Sequence, residues 1–182
     1  MTNRTVGTLL ALAVVLLAGC TSDEKEPTVL PPAPSVSPSP PLPSFPLEAM
    51  NETSEGASAF ARYYFDLLNQ AYAGADATVV QRVTASGCGG CDALIAVIQR
   101  LKEDRQRSVG GEYRILSAIA PAVIDGDVIV DVSYDRSAGQ IVNEKNVIVE
   151  SGAPVPRTDA QLRLIRRDGS WLVQGFRVLG TA

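Results

Sequence analysis

The spacing of apolar and polar residues divides the chain into distinct stretches. An apolar run occupies residues 6–18, and nine of the 12 prolines fall within residues 21–47. Further on, apolar residues first recur at the spacing of a helix face and then alternate as in half-buried strands. The pattern therefore predicts a leader over residues 1–19, a proline-rich disordered linker over residues 20–47, and one α+β domain over residues 48–182.

The first half of the domain predicts three helices. Thr53 or Ser54 caps the first helix, and Gly74 ends it. Its apolar face consists of Ala57, Phe60, Ala61, Tyr64, Leu67, Leu68 and Ala71. A short second helix runs to Val83, and a third spans residues 92–107 with basic residues crowded at its end. These are Arg100, Lys102, Arg105 and Arg107. We interpret them as a solvated helix end, with an anion site as the alternative.

Two Asp-Gly pairs predict hairpin turns in the second half, because glycine accepts the positive φ of such turns. The turn at Asp125-Gly126 pairs Ile119 with Val132 and places Asp131 on the opposite, polar face. The predicted core face consists of Tyr113, Ile115, Ile119, Val123, Val128, Val130, Val132 and Tyr134. Pro121 cannot donate to a strand ladder, so it marks an edge or a bulge.

The second turn, at Asp168-Gly169, pairs Arg166 with Trp171, and the guanidinium stacks on the indole. Both faces of this hairpin keep apolar residues. One face carries Leu162, Leu164, Trp171 and Val173, and the other carries Ile165, Leu172, Phe176 and Val178. A sheet that is apolar on both faces is covered on both. We therefore expect helices on one face and a pocket wall or a partner, such as a second copy in a homodimer, on the other.

Three helices followed by an antiparallel meander predict an α+β fold in which the helices pack on a curved sheet. This order resembles the cone-shaped fold of nuclear transport factor 2 and ketosteroid isomerase. The chain also resembles an uncharacterised family of actinobacterial lipoproteins in three stretches. These are Phe60-Ala61-Arg62-Tyr63-Tyr64 with Ala71-Tyr72, Cys88-Gly89-Gly90-Cys91-Asp92, and Asp168-Gly169-Ser170-Trp171. The resemblance covers about residues 54–178 and implies a fold and a location, without an activity.

The end of the apolar run resembles the lipobox of bacterial lipoproteins. Leu17-Ala18-Gly19-Cys20 closes an apolar run of 13 residues, fewer than the ~20 that span a bilayer as a helix. The resemblance implies export, a diacylglycerol on the Cys20 thiol, and cleavage just before Cys20. Two acyl chains would hold the chain on the outer face of the cell membrane. A leader cut at another position is the alternative.

Composition excludes several function classes. The chain has no histidine, which removes the commonest general base and metal ligand together with every Ser/His or Cys/His nucleophile. Its net charge is −4, and loss of Arg4 with the leader makes it −5. A nucleic-acid-binding protein carries the opposite charge. We therefore expect no nucleic-acid partner, no cofactor and no metal site.

Cys88 and Cys91 form a Cys-x-x-Cys motif at the start of the third helix. We expect a disulfide that closes the link between the second and third helices in an oxidising compartment. A redox dithiol is the alternative, because a helix N-terminus lowers a thiol's pKa, but such a site follows a strand and residues 78–83 look helical. Two thiolates without further ligands do not complete a zinc site.

Asp131 and Tyr64 are the acid-base candidates that the isomerase resemblance suggests. Tyr64 lies on the apolar helix face, and Asp131 lies on the polar strand face, where Lys145 of the next strand can pair with it. We therefore predict no catalytic residue. The leading hypothesis is a membrane-anchored domain outside the cell that binds an unknown protein or small-molecule ligand. An isomerase-like enzyme is the second hypothesis, and a thiol-disulfide redox protein is the third.

Overall fold

The computed structural model describes residues 41–181, which belong to one compact unit. The leader, Cys20 and the linker up to residue 40 lie outside the described residues. The helices are a 3-10 helix over Leu47–Met50, α1 over Ser54–Gly74, α2 over Thr78–Gln81 and α3 over Gly89–Glu103. The strands are β1 Gln106–Gly110, β2 Tyr113–Ile119, β3 Asp127–Arg136, β4 Gly139–Asn143, β5 Ile148–Gly152, β6 Val155–Arg167 and β7 Ser170–Thr181. Within residues 41–181, no helix has the length and apolar character needed to cross a membrane.

Helix α1 confirms the predicted cap and the predicted apolar face. The Thr53 hydroxyl accepts a hydrogen bond from the N–H of Gly56 at 3.1 Å. The helix ends at Gly74, and Ala75 follows in the left-handed region at φ 49°. Every residue of the predicted face is buried. Local capping and helical periodicity are therefore sufficient to place this helix.

Helix α3 ends earlier than predicted. Arg105 has a φ of 54°, which a right-handed helix does not accept, and the residues after it form β1. Arg105 lies 3.7 Å from Glu144, and Arg107 donates a hydrogen bond to the Asn146 side chain at 2.8 Å. The predicted basic helix end is therefore divided between the helix and the hairpin of β4 and β5.

The strands form an antiparallel meander that bends across its middle. One part has the order β1-β4-β5 and the other the order β2-β3-β6-β7. Strand β1 continues into β2, β3 into β4 and β5 into β6. Three neighbouring strands therefore run through both parts of the sheet, each interrupted at the bend. Between β1 and β2 the bend lies at Gly110-Gly111, where both residues have positive φ. A Cβ on Gly139, at the start of β4, would lie 2.8 Å from the Gly111 Cα, so the two backbones are in close contact at the bend.

The first hairpin departs from the predicted register at two points. The turn at Asp125-Gly126 has the expected positive φ angles, 49° and 72°. Before that turn, the stretch with Pro121 contains one residue more than the opposing strand, so Ile119 pairs with Asp131. A second extra residue, Leu116, then restores the predicted faces. The prediction that Ile119 lies in the core is therefore wrong, and its side chain is 66% exposed.

The second hairpin confirms the predicted register beside its turn, with Arg166 opposite Trp171. Further along, β7 contains one extra residue, so Phe176 pairs with Leu162 and packs against the core. The prediction that Phe176 lies on the outer face is wrong for that reason. The bulge also moves Val178 to the core-facing side, and a second extra residue, Leu179, shifts the register again.

The outer face of the four-stranded part is mainly polar, and the prediction that the second hairpin is apolar on both faces holds only beside its turn. Ile165 and Leu172 do lie there, half-buried, but charged residues pair across the strands around them. Across the strands, Asp127 pairs with Arg163, Asp135 pairs with Arg114, and Asp131 accepts a hydrogen bond from the Gln161 amide. Within β6, Asp159 pairs with Arg157. This arrangement satisfies most of the charge within the face itself.

The helices cover the opposite face, and aromatic side chains fill the space between the layers. The Phe65 ring centroid lies 5.4 Å from that of Tyr113, 5.4 Å from that of Tyr134 and 6.1 Å from that of Phe176. Trp171 is fully buried under the segment between the 3-10 helix and α1, where its Nε1 contacts the Asn51 carbonyl oxygen. The predicted α+β fold, with three helices on a curved antiparallel sheet, is confirmed.

Candidate functional site

The structure separates the acid-base candidates. Tyr64 lies in the core on the helix side of the sheet, where burial raises the pKa of its phenol well above the ordinary value. Asp131 lies on the outer face and accepts a hydrogen bond from Gln161 Nε2 at 2.9 Å. Lys145, predicted beside Asp131, lies instead in the turn between β4 and β5. The sheet stands between Tyr64 and Asp131, so they cannot act on one substrate.

Cys88 and Cys91 are joined by a disulfide at the start of α3. Both residues are fully buried. Between them, Gly90 lies against β7, because a Cβ there would fall 2.0 Å from the Phe176 carbonyl oxygen. Thiol exchange requires an accessible sulfur. The burial therefore fits a structural link that holds α3 against β7.

Arg166 and Trp171 fasten the segment that precedes α1 to the sheet. The Arg166 guanidinium carbon lies 5.3 Å from the Trp171 ring centroid, as the predicted stack requires. Arg166 also donates a hydrogen bond to the Met50 carbonyl oxygen, and Trp171 Nε1 donates one to the Asn51 carbonyl oxygen at 3.2 Å. We call this arrangement the segment clasp.

A cleft follows the bend of the sheet and passes on both sides of Arg136. We call it the bend cleft. Its outer part has a volume of about 620 Å³ and is lined by Glu112, Arg114, Asp135, Arg136, Ser137 and residues 154–157. Its inner part has a volume of about 280 Å³, and Ser108, Gly111, Ile141 and Glu150 are among its lining residues. Arg136, Ser137 and Val155 line both parts. In residues 41–181, no three His, Cys, Asp or Glu side chains group closely enough to hold a metal ion.

Arg136 is the central cation of the bend cleft. Its guanidinium carbon lies 4.6 Å from the ring centroid of Tyr113 and 6.0 Å from that of Tyr72. Its Nε donates a hydrogen bond to the Gly111 carbonyl oxygen at 3.0 Å. Burial raises the pKa of both tyrosines, so the phenols stay neutral and offer their ring faces to the cation.

The Tyr113 backbone is held from the helix side. The Asn69 side chain of α1 donates a hydrogen bond to the Tyr113 carbonyl oxygen at 3.0 Å. The same side chain accepts one from the Tyr113 N–H at 2.8 Å. These two bonds hold the start of β2, which carries the Tyr113 ring, against α1.

The other two arginines of the outer cleft are paired with carboxylates. Arg114 donates two hydrogen bonds to Asp135, which lowers the pKa of that carboxyl group below its usual range. Arg157 lies 3.4 Å from Asp159. Among the described residues, no carboxylate oxygen comes within 4.0 Å of the Arg136 guanidinium. Arg136 is therefore the cleft cation left available to a ligand.

Arg136 was not among the predicted site residues, although the pattern of β3 contains a signal for it. The core-facing positions of β3 are Val128, Val130, Val132 and Tyr134, and the next in the series is Arg136. A cation at a position of that series needs a partner inside the fold. That partner, the Tyr72 and Tyr113 pair, comes from two distant segments and could not be assigned from spacing.

Solved structures share the fold at low sequence identity. The intermembrane space region of chloroplast protein ARC6 matches with a TM-score of 0.52 and 9% identity, over 70% of this chain and 97% of that chain. ActVI-ORFA from Streptomyces coelicolor matches with a TM-score of 0.45 and 13% identity, over 68% of this chain and 96% of that chain. Aln2 from a Streptomyces species matches with a TM-score of 0.44 and 11% identity, over 65% of this chain and 85% of that chain. These likenesses concern the fold alone, which is nuclear-transport-factor-2-like.

A search of the curated proteins found no match. A family model does match, over residues 32–177, and this range includes α1, the disulfide, the bend cleft and the segment clasp. The match covers most of the chain. The protein therefore belongs to the family of unknown function DUF6318.

Proposed function

We propose that this chain is a lipoprotein on the outer face of a bacterial cell membrane, and that its domain binds a carboxylate ligand in the bend cleft without catalysing a reaction. The observation that carries the binding proposal is Arg136, which lies on two tyrosine rings with no described carboxylate beside it. A guanidinium recognises a carboxylate through two parallel hydrogen bonds. Its Nε is already occupied by the Gly111 carbonyl, so the two terminal nitrogens would bind the ligand.

The separation of Tyr64 and Asp131 supports binding over catalysis. An isomerase-like enzyme needs both groups beside one substrate, and it needs an open interior to hold that substrate. Here Phe65, Tyr113 and Tyr134 fill the interior. The isomerase-like enzyme therefore remains the second candidate. A redox protein ranks third, because both sulfurs are buried.

The anchoring proposal depends on the leader and the linker. Leu17-Ala18-Gly19-Cys20 supplies the lipid attachment site, and the actinobacterial resemblance supports the location. A homodimer through the sheet stays a prediction. Sedimentation velocity of the exported chain, begun at residue 20, distinguishes a monomer from a dimer.

The binding proposal is tested with benzoate, a planar carboxylate, and with benzamidine, its cationic analogue. We expect benzoate to shift the Arg136 Nε–H signal in an NMR titration, and benzamidine to leave it unchanged. In Arg136→Gln the affinity for benzoate should fall at least tenfold. Arg136→Lys keeps the charge but loses the planar fork, so it should lose most of the affinity.

The matched control is Arg163→Gln, because Arg163 is paired with Asp127 on the sheet face outside the cleft. This variant should bind benzoate as the parent chain does. Circular dichroism of each variant confirms that the fold is retained. The proposal is wrong if benzoate does not bind, or if it binds equally well to Arg136→Gln.

A further inference from the structure

The end of the sheet opposite the bend cleft carries exposed apolar side chains among carboxylates. We call this surface the tether face, because the linker enters the domain there. Its apolar members are Leu47, Ile124, Ile119 and Met50, which are 75%, 70%, 66% and 59% exposed. Its acidic members are Glu48, Glu52, Glu55 and Asp125, all exposed.

Contacts through Arg166 show that these residues form one surface. The Arg166 N–H donates to the Gly126 carbonyl at 2.7 Å, while its side chain donates to the Met50 carbonyl. The turn that carries Ile124 therefore adjoins the 3-10 helix. On the other side of that helix, Glu48, Glu55 and Ile119 line one open depression of about 410 Å³.

The tether face has an excess of negative charge. Its four carboxylates are opposed by Arg62, which lines the depression, and by Arg166. The Arg166 side chain is only 15% exposed and lies 3.7 Å from Glu52, so little of its charge reaches the surface. Large apolar side chains grouped at a surface and bordered by polar residues mark an interaction site.

We propose that the tether face binds a partner protein whose apolar contact surface is bordered by lysine or arginine side chains. Such a surface covers Leu47 and Met50 and places opposite charge against the acidic border. Anionic lipid headgroups carry the same sign of charge as the four carboxylates and would be repelled. A second copy of this chain would likewise bring carboxylates together. The proposal is independent of the ligand in the bend cleft.

The proposal is tested with two synthetic helical peptides and with vesicles. One peptide has an apolar leucine face bordered by lysines, and the second has glutamates in place of the lysines. The vesicles contain phosphatidylethanolamine and phosphatidylglycerol. With the exported chain begun at residue 20 and carrying Cys20→Ala, we expect the lysine peptide to bind. The glutamate peptide should not bind, and the chain should not float with vesicles.

Two sets of substitutions locate the binding surface. The triple variant Glu48→Gln, Glu52→Gln, Asp125→Asn removes charge, and the double variant Leu47→Ser, Met50→Ser removes apolar area. Each should weaken binding of the lysine peptide at least tenfold. These side chains are exposed, so the fold is retained.

The matched control neutralises three exposed carboxylates elsewhere, with Glu103→Gln, Asp104→Asn and Glu144→Gln. It should weaken binding by less than twofold. A loss as large as that in the tether-face variants would show attraction to overall charge and would overturn the proposal. Equal binding of both peptides, or flotation that depends on Leu47 and Met50, would also overturn it. Arg136→Gln should bind the lysine peptide normally, so failure at the bend cleft is distinguishable.

Discussion

The two ends of the four-stranded sheet carry opposite chemistry. Strand β3 runs from Asp127, beside the tether face, to Arg136 in the bend cleft, a distance of ~30 Å over its ten residues. The first end presents aliphatic side chains bordered by carboxylates, and the second presents a guanidinium on tyrosine rings. Between them, Gln161 links opposite charges across the strands, because it donates a hydrogen bond to Asp131 and accepts one from Arg177. Charged groups in the middle of the sheet satisfy one another, whereas the unmatched groups at its ends indicate binding.

The largest expected effect tests whether the faces of β3 are assigned correctly. Val130 is fully buried and Asp131 is exposed. Val130→Asp would bury an unpaired charge at a cost on the order of 5 kcal/mol, similar to the whole stability of a small domain. It should unfold the domain, while Asp131→Asn should change the stability by less than about 0.5 kcal/mol. Urea denaturation measures the stability of both variants. Equal effects would show that the faces of β3 are assigned wrongly, and that Arg136 does not lie on the core-facing side.

The next test concerns the proposed attachment to the membrane. Under the lipobox interpretation, Cys20→Ala removes the site of lipid attachment and with it the acyl chains that would supply the anchoring. We expect the variant to leave the membrane fraction, or to retain its leader, when cells are fractionated and blotted. Membrane-bound protein of mature size would contradict the lipobox interpretation.

A smaller effect tests how closely α3 approaches β7 along the edge that joins the two ends. A Cβ on Gly90 would meet the Phe176 carbonyl oxygen, whereas a Cβ on Gly89 would meet nothing within 4 Å. Gly90→Ala should therefore destabilise the domain by about 1–3 kcal/mol. Gly89→Ala, the matched control, should be neutral or stabilising by up to about 1 kcal/mol because alanine favours a helix. Similar melting temperatures for the two variants would show that α3 is not seated on this edge.

Removal of the disulfide should have an effect of similar or smaller size. The chain-entropy estimate for so short a ring is about 2 kcal/mol, so Cys88→Ser with Cys91→Ser should lower stability by that amount and preserve the fold. Benzoate and lysine-peptide binding should be unchanged, since both surfaces lie away from α3. A reduction potential near roughly −200 mV, instead of below about −300 mV, would favour the redox hypothesis.

The smallest expected effect is a loss of stability in acid. Hydrogen bonds from Arg163, Arg114 and Ser133 lower the pKa of Asp127, Asp135 and Asp159 respectively. A carboxyl group with a lowered folded pKa stabilises the fold above its unfolded pKa of ~3.9 and loses that contribution as the pH falls through the folded value. The melting temperature should therefore decrease as the pH is lowered beyond about 4. The triple variant Asp127→Asn, Asp135→Asn, Asp159→Asn should show a shallower fall, and an unchanged slope would mean that these pairs contribute nothing.

Local signals in the sequence were sufficient for much of the fold. The Thr53 cap, the apolar face of α1 and both Asp-Gly turns depend on neighbouring residues, so they follow from spacing alone. Three helices before a meander also determine the layer arrangement. The disulfide pairing of Cys88 with Cys91 follows from their short separation.

The errors occur where distant segments decide the geometry. Ile119 and Phe176 change faces because single extra residues, in the stretch with Pro121 and in β7, shift the register, and periodicity does not reveal such bulges. The bend cleft was missed because Arg136 gains its meaning from Tyr72 and Tyr113, which are far away in the chain. The tether face was missed because exposure of Leu47 depends on how the 3-10 helix seats on the sheet.

The segment clasp determines how mechanical load enters the domain. Tension from the N-terminal side first meets Phe45, whose ring centroid lies 5.2 Å from that of Tyr63, and the buried Ala49. It then reaches Met50 and Asn51, where Arg166 and Trp171 hold the backbone. Because those two residues face each other across β6 and β7, the load passes directly into paired central and edge strands. Helix α1 carries load only through the contact of Phe45 with Tyr63, because the helix itself follows the clasp in the chain. A domain pulled from its N-terminal side would thus resist at its sheet, where the strands are most extensively paired.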